Sequence, residues 1–136
     1  MSAPPERAED QAQVWLRFAQ EDLTAARRVL RDEDAVIRIA GFLAQQSAEK
    51  ALKAVLVAHT LPVPKIHDLY ALATSLPVSA DDLDPGDFAL LNPWITAGRY
   101  PGNLPDCGRG EAEELCLAAE RILTVAERLV AEAAQA

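Results

Sequence analysis

Apolar residues recur at helical spacing in three long segments of the chain. The first segment covers residues 10–31, and the spacing of its apolar residues is typical of an amphipathic helix. A second helix is predicted from Ala35 to His59, because Pro62 and Pro64 prevent its continuation. The third is predicted from Glu111 to Ala133. The apolar stripe of the first helix contains Trp15, Phe18, Ala19, Leu23, Ala26, Val29 and Leu30, and that of the last contains Leu115, Ala119, Ile122, Ala126, Leu129 and Val130.

Two shorter helices are predicted between the second and the last long helix. One runs from Asp68 to Leu76 and is stopped by Pro77. The other begins at Asp84-Pro85, since Asp caps free amides and Pro suits the first helical position. Pro93 should kink or end this helix because proline lacks an amide donor.

The remaining segments complete a single-domain prediction. Residues 1–9 are predicted to be a disordered acidic tail, and residues 98–110, which are rich in Gly and Pro, are predicted to be a loop. No segment has the two-residue period of a strand. The sequence therefore predicts one all-α domain over residues 10–134, an up-and-down bundle with three long and two short helices.

The net charge of the chain and its distribution limit the classes of ligand that the protein can bind. The chain of 136 residues has a net charge of −8, which argues against strong non-specific binding to nucleic acid. The charge is uneven, however, because residues 38–65 contain four basic residues and one acidic residue. A local site for an anion is therefore compatible with the acidic total.

Two further features bear on where the protein works. The first residues lack the apolar region of a signal peptide, and the longest apolar run, Ala54–Ala58, is too short to cross a membrane. Cys107 and Cys116 lie nine positions apart, without the spacing of a zinc finger or a redox pair. We therefore expect a soluble cytoplasmic protein with no membrane partner, no metal and no structural disulfide.

The predicted second helix carries a polar face. Its polar side chains cover an arc of about 140° on a helical wheel. One interpretation is a solvated face with pairs at i,i+4 spacing, and the other is an anion or partner site with two ammonium groups one turn apart. The polar arc consists of Gln45, Gln46, Glu49, Lys50 and Lys53, and the opposite face of small residues consists of Ala40, Ala44, Ser47, Ala51 and Ala58.

Asp22 lies within the apolar stripe of the first helix. A carboxylate there loses hydration and requires a cation or several donors nearby. The candidate cations are Lys50, Lys53 and Arg99. Asp22 is therefore either a member of a structural ion pair, a cap for a neighbouring backbone, or a site residue.

The start of the first short helix holds a His-Asp pair. Asp68 can serve as its N-cap or lie in its first turn. His67 is equally compatible with an ordinary capping or buried histidine and with a catalytic base. His59 is expected to complement the negative end of the second helix. Neither histidine has acidic neighbours at metal-ligand spacing, so no metal site is predicted.

Arg99 and Tyr100 lie where a helix gives way to the glycine-rich loop. Pro101 favours an extended backbone at Tyr100, which fixes the directions of both side chains. The Arg fork suits phosphate or carboxylate, and Tyr can stack on a base or donate a hydrogen bond. The alternative is an ion pair of Arg99 with Asp22 or Glu49 that holds the bundle together.

Taken in order, these segments resemble the HEPN domain, a domain of higher eukaryotes and prokaryotes linked to nucleotide binding. The resemblance covers about residues 10–134. It implies a bundle of about five helices that is often a homodimer. Stand-alone members are commonly encoded beside a minimal nucleotidyltransferase as toxin–antitoxin pairs. The segments that carry the resemblance are a Trp with Asp22-Leu23, the run Gln45-Gln46-Ser47-Ala48-Glu49-Lys50-Ala51-Leu52-Lys53, then His67-Asp68-Leu69, and finally Arg99-Tyr100-Pro101.

Many HEPN proteins share a further motif, Arg-x(4–6)-His. The resemblance implies that this motif supplies the active-site residues of a metal-independent ribonuclease. In this chain the positions at that distance after Arg99 are Leu104, Pro105 and Asp106. Neither Arg109 nor Arg121 is followed by a histidine. The ribonuclease site of the family is therefore expected to be absent.

Three functions follow as hypotheses. The first is a non-catalytic homodimeric module that binds a nucleotide or RNA and acts with a nucleotidyltransferase, with no other cofactor. The second is a variant ribonuclease toxin with His67 as acid/base and Arg99 and Lys53 on the phosphate. The third is a structural or dimerisation module. The candidate ligand-binding residues are Gln46, Lys50, Lys53, Arg99 and Tyr100, and the candidate structural network is Asp22, Glu49 and Asp68.

Overall fold

A computed structural model describes residues 5–96 and 107–136 of the chain. Within these ranges it contains α-helices, one 3-10 helix and no strand, so the predicted all-α class is confirmed. In chain order the elements are α1 (Pro5–Arg31), α2 (Arg38–Ala58), α3 (Leu69–Thr74), α4 (Pro85–Leu91), the 3-10 helix (Asn92–Thr96) and α5 (Arg109–Gln135).

The start of α1 corrects the predicted N-terminal tail. Residues 5–9 were expected to be disordered, whereas α1 begins at Pro5. Two features of the sequence favour this earlier start. Proline suits the first helical position, and Ala8, only 2% exposed, extends the buried stripe of Ala12 and Leu16 by one more turn.

The three long helices form the body of the bundle. α1 packs most extensively on α2, and both contact α5. α1 runs antiparallel to α5, because Arg27 pairs with Glu120 near one end and Gln20 bonds to Glu127 nearer the other. The short helices between α2 and α5 therefore return the chain to the end of the bundle at which α2 begins. There Arg109 donates to the carbonyl oxygens of Leu30 and Asp32 at the end of α1.

Small side chains let α1 and α2 approach closely. The predicted small face of α2 is buried except at Ala58, which is partly exposed. Ser47 is fully buried, and its hydroxyl donates to the carbonyl of Ala19 across the interface at 2.7 Å. Gly41 faces the ring of Trp94 in the 3-10 helix. No helix of the described ranges has both the length and the apolar content needed to cross a bilayer.

The N-caps of the two short helices are the residues that the sequence predicts. Asp68 is the N-cap of α3 and accepts from the amide of Tyr70 at 2.9 Å. Asp84 caps α4 by accepting from Gly86 at 2.8 Å, and Pro85 occupies the first turn. The α-helix ends at Leu91, and Pro93 lies in the 3-10 helix that follows, as its missing amide requires.

Candidate functional site

Three of the five residues in the polar arc of α2 are buried rather than solvated. Gln45 is fully buried, and Glu49 and Lys53 are only 5% and 6% exposed. Solvation is therefore wrong for these three residues, whereas the expected i,i+4 pairs of Gln45 with Glu49 and of Glu49 with Lys53 are both present. The reason is tertiary: the connection between α2 and α3 passes over this part of α2 and brings His67 onto it.

Glu49 is the centre of the resulting network. One carboxylate oxygen, Oε2, accepts from the ammonium of Lys53 at 3.1 Å. The other, Oε1, lies 2.9 Å from Nδ1 of His67 and accepts a longer bond of 3.4 Å from the Gln45 amide. The Glu49 and Lys53 side chains are 7% and 8% exposed, so the carboxylate and the ammonium compensate each other away from water.

The two glutamines connect this centre to the backbone of the connection. Nε2 of Gln45 also donates to the carbonyl oxygen of His67 at 3.3 Å. Its Oε1 accepts from Nε2 of Gln46 at 2.7 Å. Gln46 is partly exposed, so it marks the edge where the buried network reaches the surface.

Asp22 pairs with Lys50, one of the three cations proposed for it. Nζ of Lys50 lies 2.5 Å from Oδ2 of Asp22. The two side chains are 26% and 20% exposed, so the pair lies at the rim of the α1–α2 interface. Lys53, the second candidate, is bound to Glu49 instead. The geometry therefore gives Asp22 a place in an ion pair between helices.

Asn92 is a member of the site that the sequence did not single out. Its Oδ1 accepts from the amide of Leu69 at 3.0 Å, and its Nδ2 donates to Oδ1 of Asp68 at 3.0 Å. Both bonds fix the first turn of α3, directly after His67. The only sequence signal was an Asn before Pro93, which is common in turns and does not indicate a distant partner.

His67 is thus held from two sides while its ring reaches the surface. Its carbonyl is bound by Gln45 and its Nδ1 by Glu49, yet the side chain remains 46% exposed. A histidine oriented by a carboxylate is a common arrangement for proton transfer and for ligand recognition. His59 has a different setting at the C-cap of α2, where its buried Nε2 has no hydrogen-bond partner in the part of the chain that is described.

Two other candidate residues, Arg99 and Tyr100, lie outside the described residues. Their roles, and the predicted roles of Gln46, Lys50 and Lys53 as ligand residues, stay predictions.

Both cysteines are present as thiols. Burial, followed by the charge of Glu111, raises the pKa of Cys107 to about 11.

Comparisons with known proteins agree with this architecture. The family model described as HEPN domain matches residues 12–129. Among solved structures, the protein TT1696 from Thermus thermophilus is 32% identical in sequence, with a TM-score of 0.74. The match covers 88% of this chain and 98% of that one. No curated protein matches this chain.

Proposed function

The chain belongs to the HEPN family, and on that premise we propose that it is a non-catalytic binding module. The module takes a nucleotide or an RNA end beside His67 and acts with a minimal nucleotidyltransferase partner. The observation that carries the proposal is the pairing of both lysines of the polar arc, Lys50 with Asp22 and Lys53 with Glu49.

This pairing disfavours phosphodiester cleavage for a physical reason. Cleavage requires a general acid/base and a cation that stabilises the charge developing on phosphate. Lys53 is the ammonium joined to His67 through Glu49, but it is buried and its charge is compensated. The sequence also lacks a histidine in the Arg-x(4–6)-His position. Recognition of a ligand needs neither feature.

The exposed edge of the network supports binding. His67 presents a ring that is anchored at one nitrogen, Gln46 reaches the surface, and Lys65 is exposed two residues before His67. These groups offer hydrogen bonds and one positive charge at the protein surface. They suit a small anionic ligand better than an extended polyanion.

Titration with ATP and with a short single-stranded RNA, followed by backbone NMR shifts, tests the binding. We expect saturable shifts at Gln46, Lys65 and His67, and weaker binding in the His67→Ala variant, because one hydrogen bond to the ligand is lost. The matched control is Asp82→Asn, which changes an exposed carboxylate paired with Arg128. Absence of shifts with both ligands would reject a nucleotide or RNA ligand.

The partner and the oligomeric state require a separate experiment. Co-expression with a small nucleotidyltransferase encoded beside this chain should give a complex that survives size-exclusion chromatography. Sedimentation of this chain alone should give the mass of a homodimer. A neighbouring nucleotidyltransferase that fails to bind would reject the paired role, whatever the ligand titration gives.

A second candidate, a variant ribonuclease toxin, is favoured by one observation. The Glu49 carboxylate lies 2.9 Å from Nδ1 of His67, which is the orientation of an acid/base histidine. In that case Arg99 and Lys53 would act on the phosphate. Expression should then arrest growth, and His67→Ala and Arg99→Ala should each relieve the arrest. Equal growth of the three strains would exclude this function.

A further inference from the structure

The hydrogen-bond network around Glu49 determines which nitrogen of His67 carries the hydrogen. Glu49 is paired with a buried ammonium, so its carboxylate oxygens act only as acceptors. Its Oε1 lies 2.9 Å from Nδ1 of His67 and also accepts from the Gln45 amide. A contact of that length requires a hydrogen, which Glu49 cannot supply. The hydrogen is therefore on Nδ1.

The other ring nitrogen is then a hydrogen-bond acceptor in the neutral ring. With Nδ1 protonated, Nε2 keeps its lone pair. The ring is 46% exposed, and the described residues provide no donor to Nε2. Bonds to its carbonyl and to Nδ1 hold the residue in place, so the acceptor has a fixed position at the surface.

We propose that Nε2 of His67 accepts a hydrogen bond from a ribose 2′-hydroxyl of the ligand, and that Glu49 is the positioning residue that holds the hydrogen of the neutral ring on Nδ1 and so leaves Nε2 as the acceptor. The inference rests on the proposed binding of a nucleotide or RNA and adds the group that is recognised. The 2′-hydroxyl is the feature by which a protein distinguishes RNA from DNA at one site. Phosphate oxygens are acceptors and cannot bond to an unprotonated Nε2.

The tautomer can be measured without any ligand. Long-range ¹H–¹⁵N spectra, recorded at pH 8, above the ordinary pKa of a histidine side chain, distinguish a protonated ring nitrogen from an unprotonated one. We expect the protonated-type shift at Nδ1 and the unprotonated-type shift at Nε2. Glu49→Leu combined with Lys53→Leu removes the buried pair without leaving a single charge in the interior, so the variant should fold. In it, the Nε2 signal should move towards the protonated type.

A matched double variant controls for a general effect of removing an ion pair. Asp82→Asn with Arg128→Gln removes an exposed pair between α5 and the segment before α4, and it should leave both His67 shifts unchanged. An unprotonated Nδ1 in the natural protein would overturn the inference. So would unchanged His67 shifts in the Glu49/Lys53 variant.

The recognised group is tested with matched oligonucleotides. Six-residue oligoadenylate and oligodeoxyadenylate should differ in affinity by about fivefold in favour of RNA, the value of one hydrogen bond. The His67→Leu variant should bind both equally. Equal affinities in the natural protein would reject recognition of the 2′-hydroxyl while leaving the proposed binding function intact. Failure to bind either oligonucleotide or ATP would reject both.

Discussion

At the scale of single residues, the two lysines of α2 form ion pairs that differ in burial. Lys53 and Glu49 are 8% and 7% exposed, whereas Lys50 and Asp22 are 26% and 20% exposed. Removing one member of a buried pair leaves an uncompensated charge in the interior. The same change at the rim leaves a carboxylate that water can reach.

Substitution of each lysine by methionine should therefore have unequal effects. We expect Lys53→Met to lower the free energy of unfolding by about 3 kcal/mol, and Lys50→Met to lower it by about 1 kcal/mol or less. Urea denaturation followed by circular dichroism provides the measurement. Glu49→Leu added to Lys53→Met should recover most of the loss, because it removes the stranded carboxylate. Equal losses in the two single variants would contradict this difference.

Gly41 is required by the close approach of Trp94 to α2. A Cβ at this position would lie 2.9 Å from Cδ2 and Cε3 of Trp94 and 3.2 Å from Leu115. Gly41→Ala should therefore destabilise the fold by about 1–3 kcal/mol through overpacking, despite the better helix propensity of alanine. Gly110→Ala is the control, since a Cβ there meets no atom of the described residues within 4 Å. That variant should be neutral or up to about 1 kcal/mol more stable in thermal unfolding.

The thiol of Cys107 should react slowly despite its partial exposure. Burial is the largest cause that raises its pKa to about 11, followed by the negative charge of Glu111. The thiolate is the reactive form, so at pH 8 its fraction should be about a hundredfold lower than for a thiol with the ordinary pKa of 9.0. The alkylation rate with iodoacetamide, compared between this chain and Cys107→Ser, should rise tenfold per pH unit up to about pH 11. A plateau near pH 9 would contradict the raised pKa.

At the scale of elements, capping residues in the sequence predicted where the short helices begin, whereas helical periodicity did not predict which polar residues of α2 are buried. Asp68, Asp84 and Pro85 act through neighbours one or two positions away, so their caps could be predicted from the sequence. The burial of Glu49 depends on His67, which lies 18 positions along the chain and reaches it only in the folded protein. Periodicity on a helical wheel contains no information about such a connection.

Asn92 and Asp68 should be energetically coupled across two elements. Both Asn92→Ala and Asp68→Ala remove the bond that joins the 3-10 helix to α3, and the second also removes the helix cap. We expect each variant to lower the free energy of unfolding by about 1–2 kcal/mol. The double variant should lose less than the sum by at least about 0.5 kcal/mol.

The comparison with Asp84→Ala separates coupling from capping. Asp84 caps α4, and its carboxylate has no such bond to Asn92. The Asp84→Ala/Asn92→Ala double variant should therefore lose the sum of the two single losses in the free energy of unfolding, as measured by urea denaturation. Additive losses for the Asp68/Asn92 pair as well would show that the bond between the elements contributes nothing measurable.

At the scale of the whole molecule, the compensation of charge limits what the site can attract. The excess of positive charge between residues 38 and 65 includes both lysines of the arc, and each of them faces a carboxylate. Glu49 lies inside this segment, but Asp22 comes from α1. The net charge of the segment alone therefore overestimates the positive electrostatic potential around the two lysines. The all-α fold and the i,i+4 pairing of Lys53 with Glu49 could be predicted, whereas the pairing of Lys50 with Asp22 depended on the packing of α1 on α2.

This balance predicts a weak salt dependence of any RNA binding. Each phosphate that a protein neutralises on a single strand contributes about −0.7 to the slope of log K against log salt concentration. Lys65 is exposed and makes no ion pair with the described residues, while Lys50 and Lys53 are already compensated. We therefore expect a slope no steeper than about −1.5, equivalent to about two phosphates.

Fluorescence anisotropy with a labelled RNA gives the slope, measured between 50 and 300 mM salt, roughly the range in which counterion release is evident. Lys65→Gln should reduce the slope by about 0.7, because one phosphate contact is lost. Lys53→Gln should leave it unchanged, because Lys53 is bound to Glu49. A slope steeper than about −3 would mean that the lysines of α2 leave their carboxylates to bind phosphate.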